Sequence, residues 1–226
     1  MAGLYLDPAQ HRLVSDAVAR AEQLSSGEIV TVVADRSDGY SDIALAWSAL
    51  IALTALVVLA WFPGFYLDLV DSMLGDWNHV WTPSAIFGLA ASVAILKFVA
   101  VWAIQLWQPL KFAVIPGPIK TARVRDRAIS LFRIGAERKT TGRTGIVIYL
   151  SMREHRAEIV ADEAIASRVD PEVWGDAMAA MVEHLRQGRI AEGMIAAVEH
   201  VGAVLAEHFP RAEGDRNELP DRLVEL

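Results

Sequence analysis

IALAWSALIALTALVVLAWFPGFYL, residues 43–67, organises this chain together with a second apolar run, PSAIFGLAASVAILKFVAVWAIQLWQPL, residues 83–110. Each run is long enough to cross the hydrocarbon core of a bilayer, because about 20 residues at about 1.5 Å rise each cover roughly 30 Å. The two runs predict a transmembrane hairpin with spans at about residues 43–65 and 84–107. The polar segments on either side are patterned like a folded domain that the hairpin interrupts.

Composition and charge limit the classes of function. The net formal charge of -7 over 226 residues argues against nucleic acid as a partner, because phosphate binding needs a clustered basic surface. The chain has no cysteine, which excludes disulfides, thiolate metal sites and cysteine nucleophiles. The first residues lack a basic region followed by an apolar stretch, so we expect the first span to act as its own insertion signal.

Charges beside the two spans predict the orientation of the hairpin. The second span is followed by five basic residues: Lys111, Lys120, Arg123, Arg125 and Arg127. The turn between the spans carries Asp68, Asp71 and Asp76 and no lysine or arginine. Since flanking positive charge stays on the cytoplasmic side, we expect both the N-terminal and the C-terminal polar parts to be cytoplasmic.

Two features of the hairpin are candidates for function. Lys97 is the one charge within a span, and we expect it to reach the membrane surface or to contact a second copy or another membrane protein. The first span has no carboxylate to match Lys97, which disfavours a proton relay. In the turn between the spans, the spacing of Leu67, Val70 and Leu74 predicts a short helix at the membrane interface.

The polar parts of the chain predict an α/β domain. Asp7 and Pro8 are typical of a helix start, and the β-branched run Glu28–Ala34 predicts a buried strand. Gly145–Leu150 predicts a second strand, and His155–Ala161 predicts a third that pairs with it in an antiparallel hairpin. Helical spacing of apolar residues continues from there to residue 208. We therefore expect a small mixed sheet between layers of helices.

These patterns divide the chain into four parts. Residues 1–41 and 111–210 form the two pieces of the α/β domain, residues 42–110 form the hairpin, and residues 211–226 form a C-terminal tail.

The glycines of the turn at residues 140–145 do not predict a phosphate-binding loop, because the turn lacks the lysine-serine/threonine ending and leads into a strand.

Four short motifs of the polar parts resemble the TPM-domain family. They are SSGEIV at 25–30, TGRTGIVIYLS at 141–151, EIVAD at 158–162 and VDPEVW at 169–174. The family takes its name from a thylakoid lumen protein, a photosystem II repair protein and a neuronal receptor modulator. The resemblance implies an α/β/α sandwich around a small mixed sheet. NELPD at 217–221 also looks like bacterial members, which implies a two-pass protein of the bacterial inner membrane.

The resemblance also implies candidate site residues. Some plant members of the family are acid phosphatases that bind calcium, and other members are assembly or repair factors. Asp162, at a strand end where an open α/β sheet places ligands, is the best-matched metal ligand, and Glu28 and Asp35 are weaker ones. Further oxygen ligands would come from Asp38, Glu163 and Asp170. The simpler interpretation of Asp162 is a cap on the helix that begins at the next residue.

Two hypotheses of function follow. No set of nucleophile, proton donor and metal ligands is evident, which favours a non-catalytic, membrane-anchored interaction domain that helps to assemble or maintain membrane proteins. Its partners would be the lipid bilayer and either a membrane protein or a second copy of the chain, without a cofactor. The alternative is a phosphatase for phosphomonoesters that depends on a divalent cation such as calcium and is centred on Asp162.

Overall fold

The computed structural model describes residues 5–75, 80–135, 144–211 and 222–226. The chain forms two compact units. The first unit consists of Met1–Asp38 and Pro116–Leu226, and the second consists of Gly39–Ile115. In sequence, the second unit is therefore an insertion into the first.

The described segments contain helices and strands in mixed order. The helices are α1 (Pro8–Glu22), α2 (Ser41–Trp61), α3 (Pro63–Leu74), α4 (Pro83–Ile104), α5 (Gln108–Val114), α6 (Gly117–Gly135), α7 (Glu163–Ala166), α8 (Pro171–Leu185) and α9 (Ile190–His208). The strands are β1 (Glu28–Ala34), β2 (Gly145–Ser151), β3 (Arg156–Ala161) and β4 (Val224–Glu225).

The four strands form one sheet in the order β3-β2-β1-β4. β1 and β2 are parallel, with Glu28 opposite Gly145 and Ala34 opposite Ser151. β3 is antiparallel to β2, and β4 is parallel to β1. The predicted mixed sheet and its antiparallel hairpin are confirmed. The segment predicted as a C-terminal tail contributes β4, which at two residues is too short to show a strand pattern in the sequence.

Local sequence signals explain how α1 begins. The Asp7 carboxylate accepts hydrogen bonds from the backbone N–H of Ala9 at 2.7 Å and of Gln10 at 2.8 Å. The Gln10 side chain in turn accepts from the backbone N–H of Asp7 at 2.9 Å. This reciprocal pair is a capping box, and Pro8 occupies a first-turn position where its missing N–H costs nothing.

Helices cover both faces of the sheet in the first unit. One face packs against α1, α8 and α9 through a core that includes Ile29, Ile148 and Met181. The other face packs against α6, where Val124 meets Tyr149 in a second cluster. Alternate residues of β1 and β2 enter the two clusters, as the two-residue period of a strand requires. The result is the predicted α/β/α arrangement.

The second unit holds the two apolar helices. α2 and α4 are 21 and 22 residues long and are apolar enough to cross a membrane, by length and composition. α2 packs against α4, and its buried residues include Ala44, Ser48 and Ala52 at four-residue spacing. Small residues in such a row let two helices approach closely. None of the residues of α4 is buried, so its large apolar side chains are available to lipid.

Both helices end before the predicted spans do. α2 ends at Trp61 because Pro63 cannot donate a backbone hydrogen bond and starts a separate helix. α4 ends at Ile104, and the side chain of the next residue, Gln105, folds back onto α2. There its Nε2 donates to the carbonyl oxygen of Ala44 at 3.1 Å. This contact ties the two helices together at the end where the chain enters and leaves the hairpin.

Close approach of α1 and α9 depends on a glycine. A Cβ placed on Gly202 would lie 2.6 Å from the Cβ of Ala21, a distance that ordinary packing does not allow. Gly175 of α8 is the opposite case, since it is exposed and a Cβ there would meet nothing within 4 Å. Substituting alanine at Gly202 therefore tests the packing of α1 against α9, and substituting alanine at Gly175 tests helix propensity alone.

We expect Gly202→Ala to destabilise the first unit by about 1–3 kcal/mol, because overpacking forces α1 and α9 apart. Gly175→Ala should stabilise the fold by about 0.5–1 kcal/mol, because alanine loses less conformational freedom in a helix. Thermal denaturation of the detergent-solubilised chain, followed by circular dichroism, measures both. A Gly202→Ala variant as stable as the parent would contradict the close α1–α9 contact.

Candidate functional site

Polar side chains gather where the parallel strands β1 and β2 end. Asp35 follows β1, and Arg153 and Glu154 lie in the turn between β2 and β3. Backbone pairing continues past the strands, because Arg153 N–H donates to the carbonyl oxygen of Asp35 at 3.0 Å. We call this group the carboxyl-edge cluster; it comprises Tyr5, Asp35, Ser37, Tyr149, Ser151, Arg153 and Glu154. Ligands of open α/β sheets bind at this edge.

Asp35 is held by two donors. Arg153 Nε lies 2.9 Å from each of the two carboxylate oxygens, and the Tyr5 hydroxyl donates to Oδ1. Burial alone would raise the pKa of Asp35, but the hydrogen bonds from Tyr5 and Arg153 outweigh it and lower the pKa below its ordinary value. Burial and the hydrogen bond to Asp35 raise the pKa of Tyr5 to about 12. Asp35 is therefore a carboxylate and Tyr5 a neutral phenol at physiological pH.

Glu154 is the second carboxylate of the cluster, and it is only 2% exposed. Its Oε1 accepts from the backbone N–H of Ser37 at 2.9 Å, and its Oε2 accepts from the Ser151 hydroxyl. Ser37 Oγ also lies 3.0 Å from the Tyr149 hydroxyl. A buried carboxylate requires such donors, since an unpaired charge in the interior is very costly. Glu154 thus joins the segment after β1 to the β2–β3 turn.

The three predicted metal ligands do not lie together. Glu28 begins β1 opposite Gly145, and the backbone N–H of Asp162 donates to the carbonyl oxygen of Gly145 at 3.0 Å. Glu28 and Asp162 therefore flank Gly145 at one edge of the sheet, and both are buried. Asp35 lies at the opposite edge, roughly 20 Å away at about 3.3 Å per residue of strand.

The direction of β3 explains why Asp162 lies at that edge. β3 runs antiparallel to β2, so the residue that follows it is next to the amino ends of β1 and β2. The rule that ligands bind at strand ends applies to the carboxyl ends of parallel strands, so it points to the carboxyl-edge cluster and away from Asp162.

Asp162 directly precedes a helix that begins at Glu163, as the sequence predicts, but its side chain does not cap that helix. Asp162 occupies the N-cap position of α7, but its side chain makes no capping hydrogen bond. Its backbone carbonyl accepts instead from the N–H groups of Ile165 and Ala166. α7 has only four residues, and Asp162 at its start is buried.

Two of the other acidic residues considered as ligands, Asp38 and Asp170, have separate structural contacts. Asp38 forms an ion pair with Arg123 at 3.2 Å. Asp170 caps α8 by accepting from the backbone N–H of Glu172 at 3.1 Å. In the described ranges, no group of three or more histidine, aspartate or glutamate side chains is arranged to hold a metal ion.

Sequence reasoning missed the residues that complete the carboxyl-edge cluster. It treated residues 151–154 only as a turn, although Arg153 and Glu154 come directly after a buried strand. Strand ends that carry charge were a usable signal. Tyr5 gave no such signal, because it reaches Asp35 from a segment 30 residues away in the chain.

Lys97 is exposed on α4, seven residues before the helix ends at Ile104. Its Cα is therefore about 10 Å along the helix axis from that end. The flexible side chain can extend toward that end of the helix and cover part of this distance. The exposure of Lys97 fits contact with lipid or with another protein and gives no support to an ion pair inside the hairpin.

Comparison with known proteins supports the family resemblance and the fold. A family model described as the TPM domain matches residues 114–204, which confirms the resemblance. Among solved structures, the chain is similar to the NMR structure of the BA42 protein from the psychrophilic bacterium Bizionia argentinensis sp. nov.. The two are 17% identical, with a TM-score of 0.59 over 100% of this chain and 99% of that one, which shows a shared fold. No curated protein matches the sequence.

We expect Arg153→Gln to destabilise the first unit by about 1 kcal/mol at pH 7, since the Arg153–Asp35 pair is partly exposed. Because folding lowers the pKa of Asp35, its stabilising contribution is present above the unfolded pKa of about 3.9 and is lost as pH falls through the folded pKa. The difference between variant and parent should therefore shrink in strong acid. Thermal denaturation at several pH values measures it, with the exposed Arg186→Gln as control. An unchanged difference at low pH would contradict this role of Asp35.

Proposed function

The chain contains a TPM domain at residues 114–204, and from this premise we propose that it is a membrane-anchored, non-catalytic interaction domain. In this proposal it resides in the bacterial inner membrane with both polar parts cytoplasmic. It helps to assemble or maintain other membrane proteins. Two helices long and apolar enough to span a bilayer support the anchor.

The hydrogen bonding of the two carboxylates in the carboxyl-edge cluster is the observation that supports a non-catalytic role. Both oxygens of Asp35 accept from Arg153, and both oxygens of Glu154 accept from serine donors of the same unit. A catalytic or metal-binding carboxylate directs lone pairs at its ligand. Here the carboxylates at the edge where ligands bind instead connect β1 to the β2–β3 turn. They stiffen a surface that is suited to binding a partner.

The hairpin supplies a second contact surface in the same proposal. α4 has no buried residue and carries the exposed Lys97 near its middle. A lysine at that depth is retained where it reaches headgroups or meets a polar group of another protein. We propose that α4 contacts lipid together with a membrane-protein partner or a second copy of the chain.

The alternative, a calcium-type phosphatase, has one observation in its favour, which is that Glu28 and Asp162 share an edge of the sheet. The donor set does not fit the ion, however. Calcium takes six to eight oxygen ligands, and in the part of the chain that the structure describes no group of three or more acidic or histidine side chains is arranged to hold a metal ion. We therefore derive no reaction through a metal at Asp162.

Topology is the first test of the anchor. The chain has no cysteine, so single cysteines at Asp68 in α3 and at Gln187 after α8 report their own side of the membrane. We expect a membrane-impermeant maleimide to label Asp68→Cys in intact spheroplasts and Gln187→Cys only after permeabilisation, because the hairpin places them on opposite sides. The cysteine-free parent is the background control. Labelling of both from one side would rule out the hairpin topology.

A second test distinguishes the enzyme hypothesis from the interaction-domain hypothesis. We expect the detergent-purified chain to release no more phosphate from p-nitrophenyl phosphate with calcium or magnesium than Asp162→Asn does, because no metal-binding set is assembled there. We also expect a photo-crosslinking residue in place of Lys97 to yield a defined adduct in native membranes, whereas one in place of the exposed Arg186, outside the carboxyl-edge cluster, should not.

Two results would contradict these expectations. Metal-dependent turnover that is lost in Asp162→Asn, but kept in the exposed Asp176→Asn with both variants folded, would make the chain an enzyme. The absence of any Lys97 adduct would remove the membrane-partner contact from the proposal.

A further inference from the structure

α3 is fixed at the turn end of the hairpin by its two neighbours. It begins at Pro63, two residues after α2 ends at Trp61. Two residues of chain extend no more than about 7 Å, so the first turn of α3 stays close to the end of α2. Near the start of α4, Trp81 Nε1 donates to Asp71 Oδ2 at 3.1 Å. α3 is thus attached to both helices at their shared end.

A row of large apolar side chains on α3 is exposed. Phe62, Phe65, Leu69 and Met73 are 59%, 67%, 42% and 79% exposed. Phe62 directly precedes the helix, and the four-residue spacing of Phe65, Leu69 and Met73 places these three side chains on one face of α3. We call this row the α3 stripe. Asp68 is exposed beside it.

The structure has a helix where the sequence predicts one in the turn between the spans, but a different face of it is exposed. Leu67 and Val70, which suggested the helix, are half-buried within the second unit. The side chain of Leu74 lies outside the described residues. The apolar residues of α3 therefore divide into an inner set that packs on the unit and an outer set, the α3 stripe.

We propose that the α3 stripe inserts into the boundary between headgroups and acyl chains of the leaflet at the turn end of the hairpin. The inference rests on the proposed membrane anchor, because the ends of α2 and α4 then lie at that leaflet. The 12 residues of α3 span about 18 Å, too short to cross a bilayer and suitable for lying along its surface. The chain connection and the Trp81–Asp71 hydrogen bond keep the helix at that depth.

The charges of α3 define the kind of lipid surface that it fits. Residues 62–75 include Asp68 and Asp71 and no lysine or arginine. Amphipathic helices that need anionic lipid carry basic residues on their polar face. The α3 stripe therefore binds through apolar burial, and its insertion should be the same in zwitterionic and in anionic bilayers.

The cysteine-free chain allows a direct test in nanodiscs of phosphatidylcholine with one chain per disc. Single cysteines replace Phe65 and Met73 on the stripe, Asp68 beside it, and Leu53 within α2 as an anchor control. Each cysteine carries the fluorophore NBD, and quenching is compared between aqueous iodide and a lipid nitroxide near the headgroup. We expect Phe65→Cys and Met73→Cys to show blue-shifted emission, loss of fluorescence with the lipid nitroxide and protection from iodide. Asp68→Cys should be quenched more strongly by iodide than either.

Four results would overturn the inference. Iodide quenching at Phe65→Cys and Met73→Cys, with Leu53→Cys still protected from iodide, would leave the anchor intact and place the stripe in water. Iodide quenching at Leu53→Cys as well would remove the anchor and the inference together. Protection of the two stripe positions from both quenchers, appearing only when discs hold two chains, would show that a second copy covers the stripe. Insertion that requires phosphatidylglycerol would contradict the apolar mode of binding.

Discussion

Parallel pairing of β1 with β2 is the constraint on which the first unit depends. About 110 residues of intervening chain separate the two strands, and closing so long a loop costs conformational entropy that local contacts cannot recover. The cost is offset by burial on both faces of the sheet, where Ile29 and Ile148 enter one core and Val32 and Tyr149 enter the other. The hairpin is tolerated as an insertion because burial in these two cores stabilises the pairing of the strands that flank it.

The same pairing determines at which end of the sheet each of the candidate acidic ligands lies. Register places Glu28 beside Gly145 at one edge and Asp35 beside the β2–β3 turn at the other. The antiparallel return of β3 then brings Asp162 to the edge that holds Glu28. A set of carboxylates that looks like one ligand group in the sequence is divided between two ends of the sheet. The α/β/α fold is thus present without an assembled metal-binding group in the described residues.

Much of the fold follows from patterns that lie within single segments. The β-branched run of β1, the capping box at Asp7 and the apolar period of α9 each depend on neighbours a few residues away, so the sequence predicts them closely. The carboxyl-edge cluster could not be predicted in the same way. Tyr5, Asp35 and Arg153 meet only after the strand order and register are set, and no local pattern encodes either. β4 could not be predicted either, because a strand of two residues is too short to show an alternating pattern of apolar and polar side chains.

The length of chain between β1 and β2 also has a consequence for biosynthesis. At 5–20 residues per second, the ribosome takes roughly 5 to 20 s to make the segment between Ala34 and Gly145. β1 leaves the ribosome first and is without its central partner β2 while the segment that holds both apolar helices is made. During that interval its backbone groups are open to other strands, including those of a second nascent chain. In the proposed membrane anchor, slow insertion of the hairpin would lengthen this interval and raise the risk of mispairing, while the finished fold would be unchanged.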